Sequence, residues 1–408
     1  METEIITDHI QKAAEIIRNG GLVAVPTETV YGLAGNGLDV TAVEKIYEVK
    51  GRPMVKPLSL MVPDAGAIGD YCADVPPAAY ALAEKFWPGP LTIVLKSKRR
   101  EPEIVRAGGD TIGLRCPDHP LTLSLLRSAG VPLAAPSANP SGFPSPKTAG
   151  EVLRYFDGRI DAVLDGGPCG LGRESTILDM SETPYRVLRQ GALAEDEIDA
   201  ALRDSLTVVG ITGGSGGGKT TALNVLTDMG ALILDADAVY HELTVSSAEM
   251  REELTTRYGD VYDGAELDRR KLAAVVFRDP AALLDLNAIT HKYVRAELDR
   301  RLTEHARHGG TLAAIDAIAL LESGSGARCA FTVAVTAPLE HRVQRLTKRD
   351  GIMEEAARAR IAAQKSDAYF EQNCDYILRN DGDRAAFETK CKDFFTEVLK
   401  YGCGKEGR

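Results

Sequence analysis

At 408 residues, with 44% hydrophobic and 26% charged side chains, the chain has the length for two or three domains with real cores, which excludes a single small fold, a disordered chain and a coiled coil. No apolar run reaches the ~18 residues of a membrane-spanning helix: the best candidate, 311–321, is broken by Asp316, and the acidic start Met1-Glu2-Thr3-Glu4 lacks the basic character of an export segment, so a cytoplasmic protein with no membrane role is expected. The net charge of −11 divides as −7 over residues 1–204 and −4 over the rest, which argues against an extended footprint on nucleic acid and leaves at most local contact with RNA.

In chain order, Ile10, Ala13, Ala14 and Ile17 share one face of a helix that follows Asp8 and stops at Gly20-Gly21, ahead of a strand over 22–25. Thr41 with Glu44 forms a capping box for a second helix. Further strands are expected at 91–95, 111–114, 131–135, 162–164 and 176–178, separated by turns rich in Pro and Gly, an α/β pattern. From Ala192 to Arg203 the chain turns acidic and Ala-rich, and the boundary is expected there, giving domains over 1–200 and 205–408. The second half restarts with a strand at Thr207, a Gly-rich loop and a helix, then strands at 232–234, 312–315 and 331–335 with helices between. No repeat is visible, so the halves read as two unrelated units. The seven cysteines, Cys72, Cys116, Cys169, Cys329, Cys374, Cys391 and Cys403, stand singly with no Cys-x-x-Cys pair, so neither a disulfide framework nor a structural metal is expected.

The most compact signal is Gly213-Gly214-Ser215-Gly216-Gly217-Gly218-Lys219-Thr220, which fits G-x-x-x-x-G-K-[ST] between a strand and a helix. Glycines let successive backbone N–H groups turn inward around a phosphate, and the following helix presents its positive end. Lys219 is placed to meet the outer phosphates and Thr220 to hold Mg²⁺. The loop alone does not separate kinases from ATPases or GTPases. Asp235 and Asp237 follow the next strand, and in a parallel sheet they reach the same crevice, where one can take a proton from an acceptor hydroxyl. Read singly, both also suit a helix cap.

With these residues in order, from Thr207 to about Gly382, the second half resembles dephospho-CoA kinase: the Gly-rich loop, Asp235-Ala236-Asp237, Leu267-Asp268-Arg269-Arg270-Lys271-Leu272, Leu286-Asn287-Ala288-Ile289-Thr290-His291, Arg345 with Arg349-Asp350, and Gln364. The resemblance implies a P-loop kinase domain with a parallel sheet and a helical lid. It implies ATP held by Gly213, Gly214, Ser215, Gly216, Gly217, Gly218, Lys219, Thr220 and Thr221, and Asp237 as base on the ribose 3′-hydroxyl of dephospho-CoA. Asp235 and His291 would line the acceptor site, while Arg345 and Arg349 would neutralise phosphoryl charge from the lid. His291 reads equally as a packing histidine. Many members of that family carry Pro-Leu-Leu-x-Glu where this chain has Asp316-Ala317-Ile318-Ala319-Leu320-Leu321-Glu322.

In the first half, polar residues interrupt strand ends: Thr27-Glu28-Thr29, Lys50-Gly51-Arg52, Arg115, Ser137-Ala138-Asn139 and Glu174-Ser175. Hydroxyls beside apolar strands, with Lys50, Arg52, Lys56, Arg115 and Arg189 nearby, suit anionic ligands. Their order over residues 1 to about 193 resembles the YrdC-like threonylcarbamoyl-AMP synthases, which implies a twisted mixed α/β sheet. The implied reaction joins L-threonine, bicarbonate and ATP with release of pyrophosphate, and its product passes to the tRNA threonylcarbamoyl-transferase complex for modification of the adenosine beside the anticodon. By the same resemblance threonine lies near Thr29, Arg115 and Ser175, and ATP near Lys50, Arg52, Lys56, Thr111, Ser137, Asn139, Ser145 and Arg189. Mg²⁺ should enter with ATP. Longer relatives have His where this chain has Met61. The expectation is therefore a bifunctional enzyme; the alternative is an RNA-binding module joined to a P-loop nucleoside kinase or regulatory ATPase.

Overall fold

The computed structural model describes residues 2–277 and 279–401. The chain divides into two compact units that part between Ser205 and Leu206. The boundary expected at residue 200 falls inside the helix Glu195–Asp204, whose Ile198, Ala201 and Leu202 are buried, so that helix belongs to the first unit.

The first unit carries ten strands: β1 (Glu4–Ile6), β2 (Val23–Val25), β3 (Gly32–Asn36), β4 (Ser59–Met61), β5 (Leu91–Lys96), β6 (Thr111–Arg115), β7 (Leu133–Ala134), β8 (Ala162–Leu164), β9 (Thr176–Asp179) and β10 (Arg186–Arg189). They form one sheet in the order β1-β8-β2-β3-β7-β4-β6-β5-β9-β10. Parallel pairs (β4 with β6, β5 with β9) alternate with antiparallel ones (β5 with β6, β9 with β10), so the sheet is mixed. Every strand expected in this half is present. Unforeseen were β1, β3, β4 and β10. In β3 the sequence Gly-Leu-Ala-Gly-Asn has little strand propensity. Its Gly35 suits tight packing: a Cβ there would lie 3.0 Å from Leu22 and 3.2 Å from Ile46 on the helix Val40–Lys50, so both side chains would have to shift. That helix is capped by Asp39, whose carboxylate accepts from the Thr41 N–H at 2.9 Å, in place of the expected Thr41–Glu44 box. The helix Ile10–Arg18 buries Ala13, Ala14 and Ile17 as expected, against Leu125, Leu126 and the strands around β2.

The second unit carries β11 (Thr207–Thr212), β12 (Leu232–Asp235), the hairpin β13 (Tyr262–Asp263) and β14 (Glu266–Leu267), then β15 (Leu312–Asp316), β16 (Phe331–Thr336) and β17 (Tyr376–Arg379). Its main sheet is wholly parallel, in the order β12-β15-β11-β16-β17. Helices Lys219–Asp228 and Arg384–Tyr401 contribute Leu223, Leu226, Phe387, Cys391 and Phe395 to its core. Because all five strands run the same way, their carboxyl ends converge on one edge, and Asp235 is the direct partner of Asp316. The expected lid is two helices, Leu339–Asp350 and Glu354–Ala362, joined by buried Val343, Leu346, Ala357 and Ile361. Among the described residues no helix is long and apolar enough to cross a membrane. The six described cysteines are free thiols; Cys403 lies outside the described residues.

Candidate active sites

In the first unit a cleft of about 270 Å³ opens over β4, β6, β5, β9 and β10, and Arg52, Thr111, Arg115, Ser137, Ser175 and Arg189 all line it. The sheet places them at strand ends: Thr111 and Arg115 bound β6, Ser175 precedes β9 and Arg189 closes β10. Arg115 is almost wholly buried. Its Nη2 donates to Glu28 Oε1 at 2.8 Å and to Thr29 Oγ1 at 2.8 Å, and its Nε donates to the Gly89 carbonyl at 3.3 Å. The second oxygen of Glu28 accepts from the Asp118 N–H at 3.1 Å. A guanidinium with one carboxylate neighbour keeps the rest of its planar fork for an anionic ligand in the cleft.

Across the cleft, Arg189 donates to the Ser175 carbonyl at 2.8 Å and to its Oγ at 3.2 Å, and stands 3.5 Å from Glu174. The Ser175 hydroxyl also pairs with Thr92 Oγ1 at 2.9 Å. Burial lowers the pKa of Arg189 and of Arg52, yet a guanidinium starts so high that both stay charged. Arg52 reaches the carbonyls of Lys56 (3.2 Å) and Pro57 (2.9 Å), closing its own loop. Lys50, at the last turn of its helix, is buried and donates to the carbonyls of Ser137 and Asn139. Burial, and then nearby Arg52, push its ammonium down to about 7.

In the second unit the glycine loop links β11 to the helix Lys219–Asp228. Gly213, Gly216 and Gly218 have φ of +129°, +79° and +113°, which only glycine adopts freely. Arg345 donates to the carbonyls of Gly216 (3.1 Å) and Gly217 (3.3 Å), Arg342 to that of Ser215 (3.0 Å), and Asn380 Nδ2 to that of Gly217 (2.9 Å). In a planar trans peptide the C=O of one residue and the N–H of the next point oppositely. Anchoring these carbonyls on one side therefore turns the N–H groups of Gly216 and Gly218 to the other, as an anion cradle requires. A Cβ on Gly218 would lie 2.2 Å from Asn380 Nδ2. Gly218→Ala is expected to destabilise this unit by about 2–5 kcal/mol, the sum of a strained φ and a clash, read as a lower urea midpoint.

Lys219 Nζ lies 3.5 Å from Asp316 Oδ1 and donates to the Gly213 carbonyl at 3.3 Å. Burial raises the Asp316 carboxyl above its usual range, opposed by Lys219 and reinforced by Asp235 and Asp237. Beside these carboxylates a second cavity, of about 230 Å³, is lined by Asp237, Tyr240, Asn287, Thr290, His291 and Arg295 among others. Burial and then Arg295 lower the His291 pKa, so its imidazole is neutral at pH 7. The arrangement is a phosphate cradle beside a pocket lined by one carboxylate, that of Asp237, the geometry of transfer between a bound phosphate and a second substrate.

Residues 15–191 match the Sua5–YciO–YrdC family, described as Telomere recombination, and residues 207–386 match the family described as Dephospho-CoA kinase. A threonylcarbamoyl-AMP synthase of Bacillus subtilis is 45% identical over 195 residues, covering 47% of this chain and 56% of the relative. One of Halorhodospira halophila is 37% identical over 176 residues, covering 43% of this chain and 92% of the relative. The chain belongs to the Sua5–YciO–YrdC family, and its second unit matches the dephospho-CoA kinase family. Its first unit spans little more than half the length of several synthase relatives, and both families consist of enzymes. The crystal structure of Pyrococcus abyssi Sua5 complexed with L-threonine is 26% identical with a TM-score of 0.48, covering 82% of this chain and all of that one.

In the Sua5–YrdC unit the expected residues separate into those that face the cleft and those that hold it. Lys50 and Asn139 belong to the second group: the Lys50 ammonium is taken up by backbone carbonyls, and Asn139 Nδ2 donates to the carbonyls of Pro140 (3.0 Å) and Phe143 (2.7 Å). Lys56 is exposed and meets Arg52 through its carbonyl. Thr29 is fully buried and touches the site through Arg115. Ser145 opens onto an adjoining groove with Lys147 and Arg173, and donates to Glu174 at 2.8 Å. Met61 lines the main cleft.

In the kinase-family unit Asp237 and His291 line one cavity, and Ala317 and Ala319 of the divergent 316–322 segment join them. Asp235 acts first as a cap, its Oδ1 accepting from the N–H groups of Asp237 and Ala238 at 2.9 Å. Thr220 and Thr221 open the helix after the loop. Arg345 stands behind the loop, holding carbonyls, where the resemblance implied a phosphate contact. Arg349 is exposed and forms a bidentate pair with Asp350 at 2.6 and 2.9 Å, away from the loop. Glu28, Arg342 and Asn380 were missed as site residues. The signal for Glu28 was its place between Thr27 and Thr29 in a polar strand end; Arg342 and Asn380 carried none, since their partners are backbone groups 127 and 163 residues away.

Proposed function

We propose that the chain is a bifunctional cytoplasmic enzyme. Its first unit forms threonylcarbamoyl-AMP from L-threonine, bicarbonate and ATP with release of pyrophosphate, for delivery to the transferase complex that modifies tRNA. Its second unit phosphorylates the 3′-hydroxyl of dephospho-CoA. The observation that carries the first reading is the convergence of Arg52, Arg115 and Arg189 with Ser137 and Ser175 on one cleft. There Arg115 binds the threonine carboxylate; the threonine amine condenses with bicarbonate to a carbamate with loss of water, and Arg52 and Arg189 screen triphosphate charge as a carbamate oxygen attacks the α-phosphorus and pyrophosphate leaves. For the second, it is the meeting of the glycine cradle with a cavity holding Asp237. Asp237 takes the hydroxyl proton, the oxygen attacks the γ-phosphorus, and ADP leaves.

Thr220 at the first turn of its helix and Asp316, whose buried Oδ1 has no hydrogen-bond partner, are hard oxygen donors that fit Mg²⁺ carried in with ATP. Bound there, the ion would screen phosphate charge. Asp235, bonded side by side with Asp316 in the sheet, supports the same placement.

The test is a pair of assays on the intact chain. Pyrophosphate should appear only when threonine, bicarbonate and ATP are all present, and ATP with dephospho-CoA should yield CoA. Absence of pyrophosphate together with tight, steeply salt-dependent RNA binding would sink the synthase reading. Lys50→Met should raise the KM for ATP in pyrophosphate release by about tenfold with less effect on kcat, because it frees the loop carrying Ser137 from two buried donor bonds.

A further inference from the structure

Ser215, the third residue of the phosphate loop, is gripped on every hydrogen-bonding group it has. Its N–H donates to Gln364 Oε1 at 2.8 Å, its hydroxyl accepts from Gln364 Nε2 at 2.8 Å, and its carbonyl accepts from Arg342 Nε at 3.0 Å. Arg342 Nη2 in turn reaches Gln364 Oε1 at 3.3 Å, and Arg342 lies 3.5 Å from Asp367. Arg342 is 6% exposed and sits in the first turn of the helix Leu339–Asp350, whereas Gln364 follows the helix Glu354–Ala362, so a side chain from each part of the lid reaches this one loop residue.

A loop of five glycines and one serine is the most conformationally free segment a chain can offer, and ordering it costs roughly 1–2 kcal/mol per residue. Gln364 is the one side chain here that uses both halves of an amide on the same partner residue, which fixes the loop in direction as well as place. Gly214 is part of the same fit: a Cβ there would meet Arg342 Nη2 at 2.1 Å.

Resting on the kinase reading of this unit, we propose that Gln364, with Arg342, is a positioning residue that pre-orders the phosphate loop, so that nucleotide affinity depends on the lid helices being docked before ATP arrives. ATP then binds a loop already shaped for it, and a lid that swings away releases the loop and lowers affinity for product nucleotide.

The test is Gln364→Ala in the full chain. In dephospho-CoA phosphorylation the KM for ATP should rise by about tenfold, the loss of a partly buried two-bond contact, while kcat and the KM for dephospho-CoA change by less than about twofold. A merely structural role would lower kcat or the active fraction and leave the KM for ATP alone. Gln364→Glu keeps an acceptor for the Ser215 N–H and should restore loop order only in part, with an affinity for ATP that weakens as salt is lowered. Independently of turnover, amide hydrogen exchange of residues 213–219 in the nucleotide-free chain should accelerate in Gln364→Ala by about tenfold or more. Unchanged exchange and an unchanged KM for ATP would overturn the inference. Failure of the unaltered chain to phosphorylate dephospho-CoA would overturn the kinase reading instead, with the exchange result still deciding whether Gln364 orders the loop.

Discussion

Replacing Asp237 by Asn should lower kcat for dephospho-CoA phosphorylation by about 10²–10⁴-fold, the usual worth of a positioned general base, with the KM for ATP within about twofold of its starting value. The substitution is well suited to the question because Asp237 is held by its backbone: its N–H is bonded to Asp235 and its carbonyl to His241 at 2.6 Å. Asn keeps shape and cap and removes only the proton-accepting charge. The carboxylate stands in the first turn of the helix Ala236–Ser246. Another group in the cavity able to accept a proton is His291, neutral at pH 7. His291→Gln should cost only about tenfold, expressed mainly in the KM for dephospho-CoA, if it packs against the acceptor. A larger loss in kcat from His291→Gln than from Asp237→Asn would transfer the base role to the histidine.

Arg115→Ala should raise the KM for threonine in pyrophosphate release by about a hundredfold or more and destabilise the first unit by about 3–5 kcal/mol, since it leaves a partner charge behind in a nearly dry site. Arg115 and Glu28 have side chains 8% and 14% exposed, and Thr29, the other partner, is fully buried. The two effects separate in a paired variant. Arg115→Met with Glu28→Gln removes both charges, so unfolding by urea should return most of the lost stability while the KM for threonine stays high. Recovery of threonine use along with stability would show that Arg115 holds the cleft together without touching the amino acid's carboxylate.

The glycine loop, the strands of β2, β5, β6, β8, β9, β11, β12, β15 and β16, and the face of the first helix could all be read from local residue order. Each rests on a periodicity or turn chemistry contained within about a dozen residues. The weak strands could not. β3 has two glycines and little strand propensity of its own; it forms by pairing with β2 and β7, and its Gly35 packs tightly against Leu22 and Ile46. β10 is an edge strand paired only to β9, and β17 lies at the edge beside β16.

The site residues divide along the same line. Residue order placed Lys219, Asp237 and Arg115 because a loop motif, a strand end and a family likeness each mark them directly. It also put Lys50, Asn139, Arg345 and Arg349 among the ligand contacts, since a charged or amide side chain near a phosphate motif carries no sign of which way it faces. Folding separates the two kinds. Lys50 and Arg345 turn onto backbone carbonyls, Arg349 turns onto Asp350, and Arg342 and Gln364 come from far along the chain to grip Ser215. The chemistry offered to a substrate was therefore written in short segments: an α/β chain in two acidic halves, one with a phosphate loop and one with scattered basic and hydroxyl strand ends. Which of those groups face the ligand and which brace the backbone follows from hydrogen-bond satisfaction in the buried interior, where every carbonyl competes for donors that only the finished fold brings within reach.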